Sequence, residues 1–340
     1  MNIVHVTASF RPAIGGVSNH VLNVCKTQIA CGHNVAVITA MNEIYSESEV
    51  IDNIKVARFP SHRSPLRVKL WHLRNHSLYR NADVIHIHSL YSIESIPAFL
   101  LKQSKTVITL HGWGGKYPIP VEQIERVSTG VPKVASGVIT VGSFVNKWFR
   151  VKSDETIYGA TSLTKETQEK EYDICILGRL EEDAGINAYI EALREICHRS
   201  TRRLNICVCG DGSLKKKLHD AISNDADVHF TGFVDNPQYY MHRSLCCFTS
   251  GYLGILEALT LGCNVYSIYE NPVKRDYLCD SPYSDFIIVA SSSGELANYF
   301  IAEAKPNKPL EDFVKKDFSW ARVCKVYDNV YEKIGINIAQ

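Results

Sequence analysis

The chain carries almost no net charge. Its 340 residues hold 37 basic and 36 acidic side chains, a formal balance of +1. No global field is built for nucleic acid, and only a local patch is left open. Long apolar runs are missing too, since no stretch approaches the length of a membrane span. The first strand, Ile3-Val4-His5-Val6, begins at once, without the basic region and apolar core of a signal peptide. A soluble, cytoplasmic protein is the expectation. Neither a CxxC pair nor an HExxH motif occurs. The 11 cysteines are an odd set, several of them inside apolar runs such as Ile206-Cys207-Val208-Cys209 and Cys246-Cys247. Neighbouring strand positions face opposite ways, which suits reduced, packed thiols better than disulfides or a zinc site. His86 and His88 share one face of a predicted strand, but no third ligand is evident, and no metal is expected.

What is present is a globular composition, 45% apolar, in a chain too long for one comfortable core. Two domains are therefore expected. Short runs that are apolar almost throughout predict strands over 3–7, 34–39, 55–59, 83–88, 106–110 and 138–141, the pattern of a parallel sheet covered on both faces. The second half repeats the grammar, with strands over 173–177, 205–209, 228–231, 245–248, 265–268 and 286–289. Two runs of strand-loop-helix units predict two doubly wound α/β domains. The polar segment 152–170 is the expected linker. A last helix over 320–334 carries Val323, Tyr327, Val330 and Tyr331 at helical spacing, and spacing alone leaves open which domain it joins.

The organising stretch is 244–270, read as a buried strand, a turn with Ser250 and Gly251, a helix carrying Leu253, Leu256 and Leu259, and a further strand, with Ser250, Gly251, Tyr252 and Leu253 as candidate ligand contacts. Such a turn leaves backbone N–H groups at the carboxyl edge of a sheet, where an anion is welcome. Glu257, about two turns into the helix, is a suitable acceptor for sugar hydroxyls. Gly15-Gly16 follows the first strand and lets backbone approach a bulky anion. His111 ends another strand between glycines, placed to bind a polar ligand. Arg179, after Gly178, can neutralise a diphosphate at two points. The carboxylates that follow it, Glu181-Glu182-Asp183, read as the acidic first turn of a helix. Gly210-Asp211-Gly212-Ser213 is equally a ligand loop or a plain turn and helix cap.

In order along the chain, Gly15-Gly16-Val17, Asp83-Val84-Ile85-His86, His111-Gly112, Gly178-Arg179-Leu180, Gly210-Asp211-Gly212, Phe230-Thr231-Gly232-Phe233 and Leu256-Glu257-Ala258-Leu259 resemble one family. It is glycosyltransferase family four, the retaining nucleotide-sugar enzymes of the GT-B fold, also called group 1 glycosyl transferases. The resemblance covers nearly the full chain, and Phe318-Ser319-Trp320 is similar to the family's ending. It implies an α/β architecture of two Rossmann-like doubly wound domains facing across a cleft. The N-terminal, acceptor-side domain would span 1–158 plus 318–340, its last helix returning, and the nucleotide-sugar domain 159–317. It implies a UDP- or GDP-sugar as donor substrate and no cofactor. Gly16 would meet the donor diphosphate, His111 the transferred sugar and Arg179 the phosphates. The backbone near Phe233 and Val234 would hold the base, and Glu257 the ribose. A hexose would pass to a glycan or lipid-linked acceptor, with Arg179 and helix N-termini stabilising the leaving diphosphate.

Two positions depart from the family. Ala184 stands where a lysine is common, and Thr249 where a glutamate is, so a catalytically impaired sugar-nucleotide-binding protein is an alternative. A nucleotide-sugar epimerase of the same fold is another, without a clear acid-base carboxylate set to support it. Between Asn53 and Ala82 there is no acidic residue. Lys55, Arg58, Arg63, Arg67, Lys69, Arg74 and Arg80 interleave there with Leu66, Val68, Leu70, Trp71 and Leu73. Arg63, Arg67, Lys69, Trp71 and Arg74 are the expected patch for an acidic acceptor or an anionic membrane surface, which would place the protein peripherally on a membrane. The competing reading is a solvated helix packed on its own domain.

Overall fold

The structure, a computed structural model, describes residues 1–41, 46–60, 64–88, 96–102, 104–161, 168–303 and 317–338. It divides into two compact units. Unit 1 takes Met1–Trp113, Ile119–Ile157 and the chain from Trp320 onward; unit 2 takes Gly114–Pro118 and Tyr158–Ser319. No helix among the described residues is long and apolar enough to cross a membrane.

The sheet of unit 1 is built from β1 (Asn2–Thr7), β2 (Asn34–Ala40), β3 (Ser48–Ile51), β4 (Ile54–Phe59), β5 (Val84–Ile87), β6 (Lys105–Leu110), β7 (Gly137–Val141) and β8 (Glu155–Ile157). Their order is β3-β4-β2-β1-β5-β6-β7-β8. All neighbours are parallel except the edge pair β3 and β4. Two of these strands escape the periodicity. β3 is a four-residue edge strand with no buried position, and β8 is a three-residue edge strand inside the expected linker. Edge strands bury little, so their sequences carry little apolar signal. Residues 162–167, the centre of that linker, lie outside the described residues.

Unit 2 holds β9 (Tyr172–Leu177), β10 (Leu204–Cys209), β11 (Ala226–Gly232), β12 (Ser244–Phe248), β13 (Asn264–Ile268) and β14 (Ile288–Ala290). The order is β11-β10-β9-β12-β13-β14, parallel throughout. β14 starts later than its apolar run because Ser284–Phe286 is a 3-10 turn. Each sheet reverses its winding beside its first strand, β1 or β9, and the carboxyl ends there are where doubly wound folds bind ligands.

Helices cover these sheets through stripes at helical spacing. Helix Ile186–Arg199 buries Ile186, Tyr189, Ile190, Leu193, Ile196 and Cys197 against Ile174, Ile206, Val208 and Phe248. Helix Trp320–Lys333 buries Trp320, Val323, Cys324, Tyr327, Val330 and Tyr331 and packs in unit 1 beside helix Gly16–Ala30. It crosses β7 so closely that a Cβ on Gly137 would meet the Val330 side chain at 2.7 Å. The cysteines are free. Cys246 and Cys247 occupy successive strand positions, but Cys207 and Cys209 are two apart on β10 and share a face. With Cys175 on the paired strand β9 they bring three sulfurs within 3.6–4.0 Å. Alternation of neighbouring positions therefore does not disperse this trio.

Candidate active site

The rim of unit 2 is assembled by two turns that zip together beyond β9 and β10. The Leu180 N–H donates to the Asp211 carbonyl at 2.9 Å, and the Leu214 N–H to the Leu180 carbonyl at 2.9 Å. Only glycine permits this approach. A Cβ on Gly210 would stand 1.8 Å from the Gly178 carbonyl oxygen, and one on Gly212 2.5 Å from that of Leu180. Gly212 thus serves the packing of the turns, and Arg179 rides on the exposed outside of them. Arg179, Glu181, Glu182, Asp211, Gly212 and Phe233 line an open concavity of about 700 Å³, together with Gly115 and Lys116 of the short segment grouped with this unit. That is the size of a small-ligand site.

The carboxylates after Arg179 depart from expectation. Glu182–Ala184 forms a 3-10 turn, and the helix begins only at Ile186, with no acidic residue in its first turn. Glu181 instead accepts from the Ser213 N–H at 2.9 Å and its hydroxyl at 2.6 Å. Asp211 accepts from the Gly212 N–H and from Lys215, which hold its carboxyl below its ordinary range.

At the start of helix Tyr252–Thr260 the expected row of open amides is partly closed. The Tyr252 N–H donates to the Tyr277 hydroxyl at 2.7 Å, and the Tyr252 hydroxyl to the Tyr277 carbonyl at 2.9 Å. The two rings stack with centroids 3.9 Å apart. Ser250 is buried, its hydroxyl 2.5 Å from that of Tyr189. Ser250 and Tyr252 therefore brace the turn, while Gly251 is exposed and Leu253 half-buried. Glu257 is half-buried on the same helix. Burial pushes its carboxyl up to about 7, against a lowering hydrogen bond from Gln238. Val234 is half-buried beside the exposed Phe233.

Lys274 is a residue the sequence reading missed. Asn271 caps helix Pro272–Cys279 by accepting from the Lys274 N–H. This turns the Lys274 ammonium onto the Ser250 carbonyl at 2.6 Å and over the Tyr277 ring at 4.0 Å. Desolvation lowers its pKa to about 7. Its signal was local, an Asn-Pro cap followed by a cation just past the carboxyl end of β13.

In unit 1, Gly15 caps helix Gly16–Ala30 at the end of β1, and nothing lies within 4 Å of a Cβ on either Gly15 or Gly16. His111 ends β6, half-exposed. Behind it stand His5, His20, His86 and His88, all buried. Desolvation lowers all five: His5 and His111 fall to about 4, the others well below the ordinary imidazole value. The third histidine that the strand pattern did not supply is His5, on the strand beside β5. One ring nitrogen each from His5, His86 and His88 lie within 4.8 Å of one another. Both nitrogens of His86 are engaged, by Tyr331 and Thr109, so a metal there would have to displace one of them.

The basic patch is only partly a surface. Helix Pro65–Arg74 exposes Leu66, Leu70 and Leu73 among Arg67, Lys69 and Arg74. Trp71, expected on that surface, is buried against Phe59 and His72 and donates to Glu47 at 3.0 Å. Its indole belongs to the core, because it sits on the face that Val68 and His72 also bury. Arg58 is buried as well, held by Glu49 and the Arg11 carbonyl. Arg63 lies outside the described residues.

Comparison with known proteins adds the family. The profile for Glycosyltransferase Family 4 matches residues 14–151, and that for Glycosyl transferases group 1 matches residues 162–316. No curated protein matches. Among solved structures, Anabaena Alr3699/HepE in complex with UDP and glucose aligns with a TM-score of 0.76 at 15% identity, over 97% of this chain and 99% of that one. A glycosyltransferase from Rickettsia africae ESF-5 aligns at 0.70 and 15% identity, over 99% of both chains. Sucrose-phosphate synthase from Thermosynechococcus elongatus aligns at 0.72 and 15% identity, over 98% and 99%.

Proposed function

The chain belongs to glycosyltransferase family 4, the group 1 enzymes of GT-B fold, and on that premise we propose that it moves a hexose, with retention, from a UDP- or GDP-sugar to a hydroxyl of a glycan or lipid-linked acceptor. The observation that carries the reading is the rim of unit 2, where Arg179 stands beside Phe233 on a concavity whose backbone only glycines allow. The UDP and glucose bound by the Anabaena structure support the donor class.

Arg179 takes the diphosphate at two points, and the N-terminus at Gly251 adds its positive end. In unit 1, Gly15 and Gly16 offer open backbone of the kind a phosphate can approach. The base lies against Phe233 and the backbone of Val234. Glu257 accepts from the ribose hydroxyls, which its ionised form does best. His111 meets the transferred sugar. The acceptor oxygen attacks the anomeric carbon on the face that the diphosphate leaves. A departing phosphate oxygen takes the acceptor's proton, and Arg179 stabilises the charge that develops. Lys116 is a second cation on the same concavity, in a chain where Ala184 replaces the family's lysine.

A binding protein without turnover is the second reading. Thr249 favours it, because it is buried beneath the turn and its carbonyl accepts from Ser267 at 2.6 Å. A thermal-shift screen of UDP, GDP and their sugars tests both. A stabilising nucleotide whose effect is lost in Arg179→Ala supports the site. Equal shifts in wild type and variant, or none with any nucleotide, remove it. Release of free sugar from the stabilising donor separates transfer from binding alone.

A further inference from the structure

Nine buried or half-buried polar groups of unit 1 form one hydrogen-bonded series that starts and ends at neighbouring rings. His111 Nε2 meets His88 Nδ1 at 2.9 Å, His88 Nε2 meets His5 Nδ1 at 2.9 Å, and His5 Nε2 meets Gln28 Oε1 at 2.7 Å. Gln28 Nε2 reaches the Tyr331 hydroxyl at 3.5 Å, which lies 2.6 Å from His86 Nδ1. His86 Nε2 meets Thr109 Oγ1 at 2.7 Å, Thr109 Oγ1 reaches the Tyr327 hydroxyl at 3.4 Å, and that hydroxyl lies 2.8 Å from His20 Nε2. The His20 ring stands edge-on to His111, with centroids 4.9 Å apart.

A neutral imidazole has one donor and one acceptor, and a hydroxyl donates one proton, so each link sets the next. Gln28 is the one member whose two ends cannot exchange roles, because its carbonyl only accepts and its amide only donates. The carbonyl faces His5. A 2.7 Å contact suits an N–H···O bond; the imidazole pairs of this series, N–H···N bonds, stand at 2.9 Å. With that end settled, His5 donates from Nε2 and accepts at Nδ1. His88 must then donate from Nε2, and His111 from Nε2 to His88. In the other direction the Gln28 amide donates to Tyr331, Tyr331 to His86 Nδ1, His86 Nε2 to Thr109, Thr109 to Tyr327, and Tyr327 to His20 Nε2. No link is left with two donors or with two acceptors. His111 Nδ1 has no hydrogen-bond partner among the described residues.

We propose that this series is a polarised relay in which Gln28, through His5 and His88, holds His111 as its Nε2–H tautomer and turns a bare Nδ1 to the carboxyl edge of the sheet, to accept a hydrogen bond from a ligand hydroxyl. Gln28, His5 and His88 are positioning residues; His111 is the group that touches the ligand. That the hydroxyl is a sugar's rests on the function proposed above, and the relay itself does not. Desolvation, which keeps all five rings uncharged at neutral pH, agrees with a series of neutral donors and acceptors.

Long-range proton–nitrogen NMR on the full chain labelled with 15N-histidine reads each tautomer without any ligand. At pH 7, His5, His86, His88 and His111 are expected as Nε2–H and His20 as Nδ1–H, the rings assigned by single His→Gln variants. Gln28→Glu keeps an acceptor facing His5 and is expected to leave His111 as Nε2–H. Gln28→Leu removes the acceptor and is expected to give His111 a mixed or inverted signal. His111 as Nδ1–H in the wild type overturns the relay, as does a pattern unchanged in Gln28→Leu. The wild-type spectrum decides even if Gln28→Leu fails to fold. A chain that shows these tautomers but binds no nucleotide would sink the proposed function and leave the relay standing.

Discussion

Glu257 shows how one residue couples a site to pH. Burial raises its folded pKa to about 7, above the ordinary carboxyl value of 4.5. The folded state therefore holds a proton that the unfolded chain releases, and the stabilisation present below about 4.5 is lost as pH rises to about 7. Ribose hydroxyls are best accepted by the ionised carboxylate, so nucleotide binding has the opposite slope. Thermal shifts with UDP or GDP are expected to grow between pH 6 and pH 8 in the wild type. Glu257→Gln is expected to melt higher than wild type at pH 8 without ligand and to lose the pH trend in binding. A wild-type nucleotide response that is flat across that range would contradict the assignment. Motif spacing singled out Glu257 as a candidate; Gln238, whose hydrogen bond opposes the rise, had no mark in that spacing.

Among elements, helix Pro65–Arg74 divides its apolar residues between two faces. Val68, Trp71 and His72 are inside, and Leu66, Leu70 and Leu73 are outside beside Arg67, Lys69 and Arg74. Interleaved charge and leucine in the sequence marked the helix, but a tryptophan suits either face, and Glu47 and Phe59 decided for the core. The exposed leucines and cations are the parts of the expected membrane patch that remain on the surface. The protein is expected to float with liposomes containing anionic lipid and not with neutral ones, and a double charge reversal, Arg67→Glu with Lys69→Glu, is expected to abolish flotation. Recovery in the bottom fraction with both lipids removes this surface from the account.

At the scale of the molecule, the histidine series links β1, β5 and β6 with helices Gly16–Ala30 and Trp320–Lys333. Its folded pKa values are depressed, so the unfolded chain takes up protons near pH 6.5 that the folded chain refuses until about 4. Stability is thus full above about 6.5 and falls as the pH drops toward 4. For His5 alone, a drop of that size is worth roughly 3 kcal/mol. The urea midpoint is expected to decline steeply from pH 6.5 to pH 4.5. A midpoint unchanged over that interval would show that the rings protonate in the folded state.

Local pattern was enough for the central strands of both sheets, since a strand buried on both faces is apolar almost throughout, and for the order of glycine turns at their ends. It missed β3 and β8, which bury too little to be marked. Tyr327 and Tyr331 read as members of an apolar stripe, and their hydroxyls were silent. Only the fold placed those hydroxyls against His20 and His86, in a helix more than two hundred residues further along the chain. Burial periodicity is a property of neighbours in sequence and can be read there. The partner of a buried polar atom is a property of neighbours in space, and the tertiary structure alone chooses it.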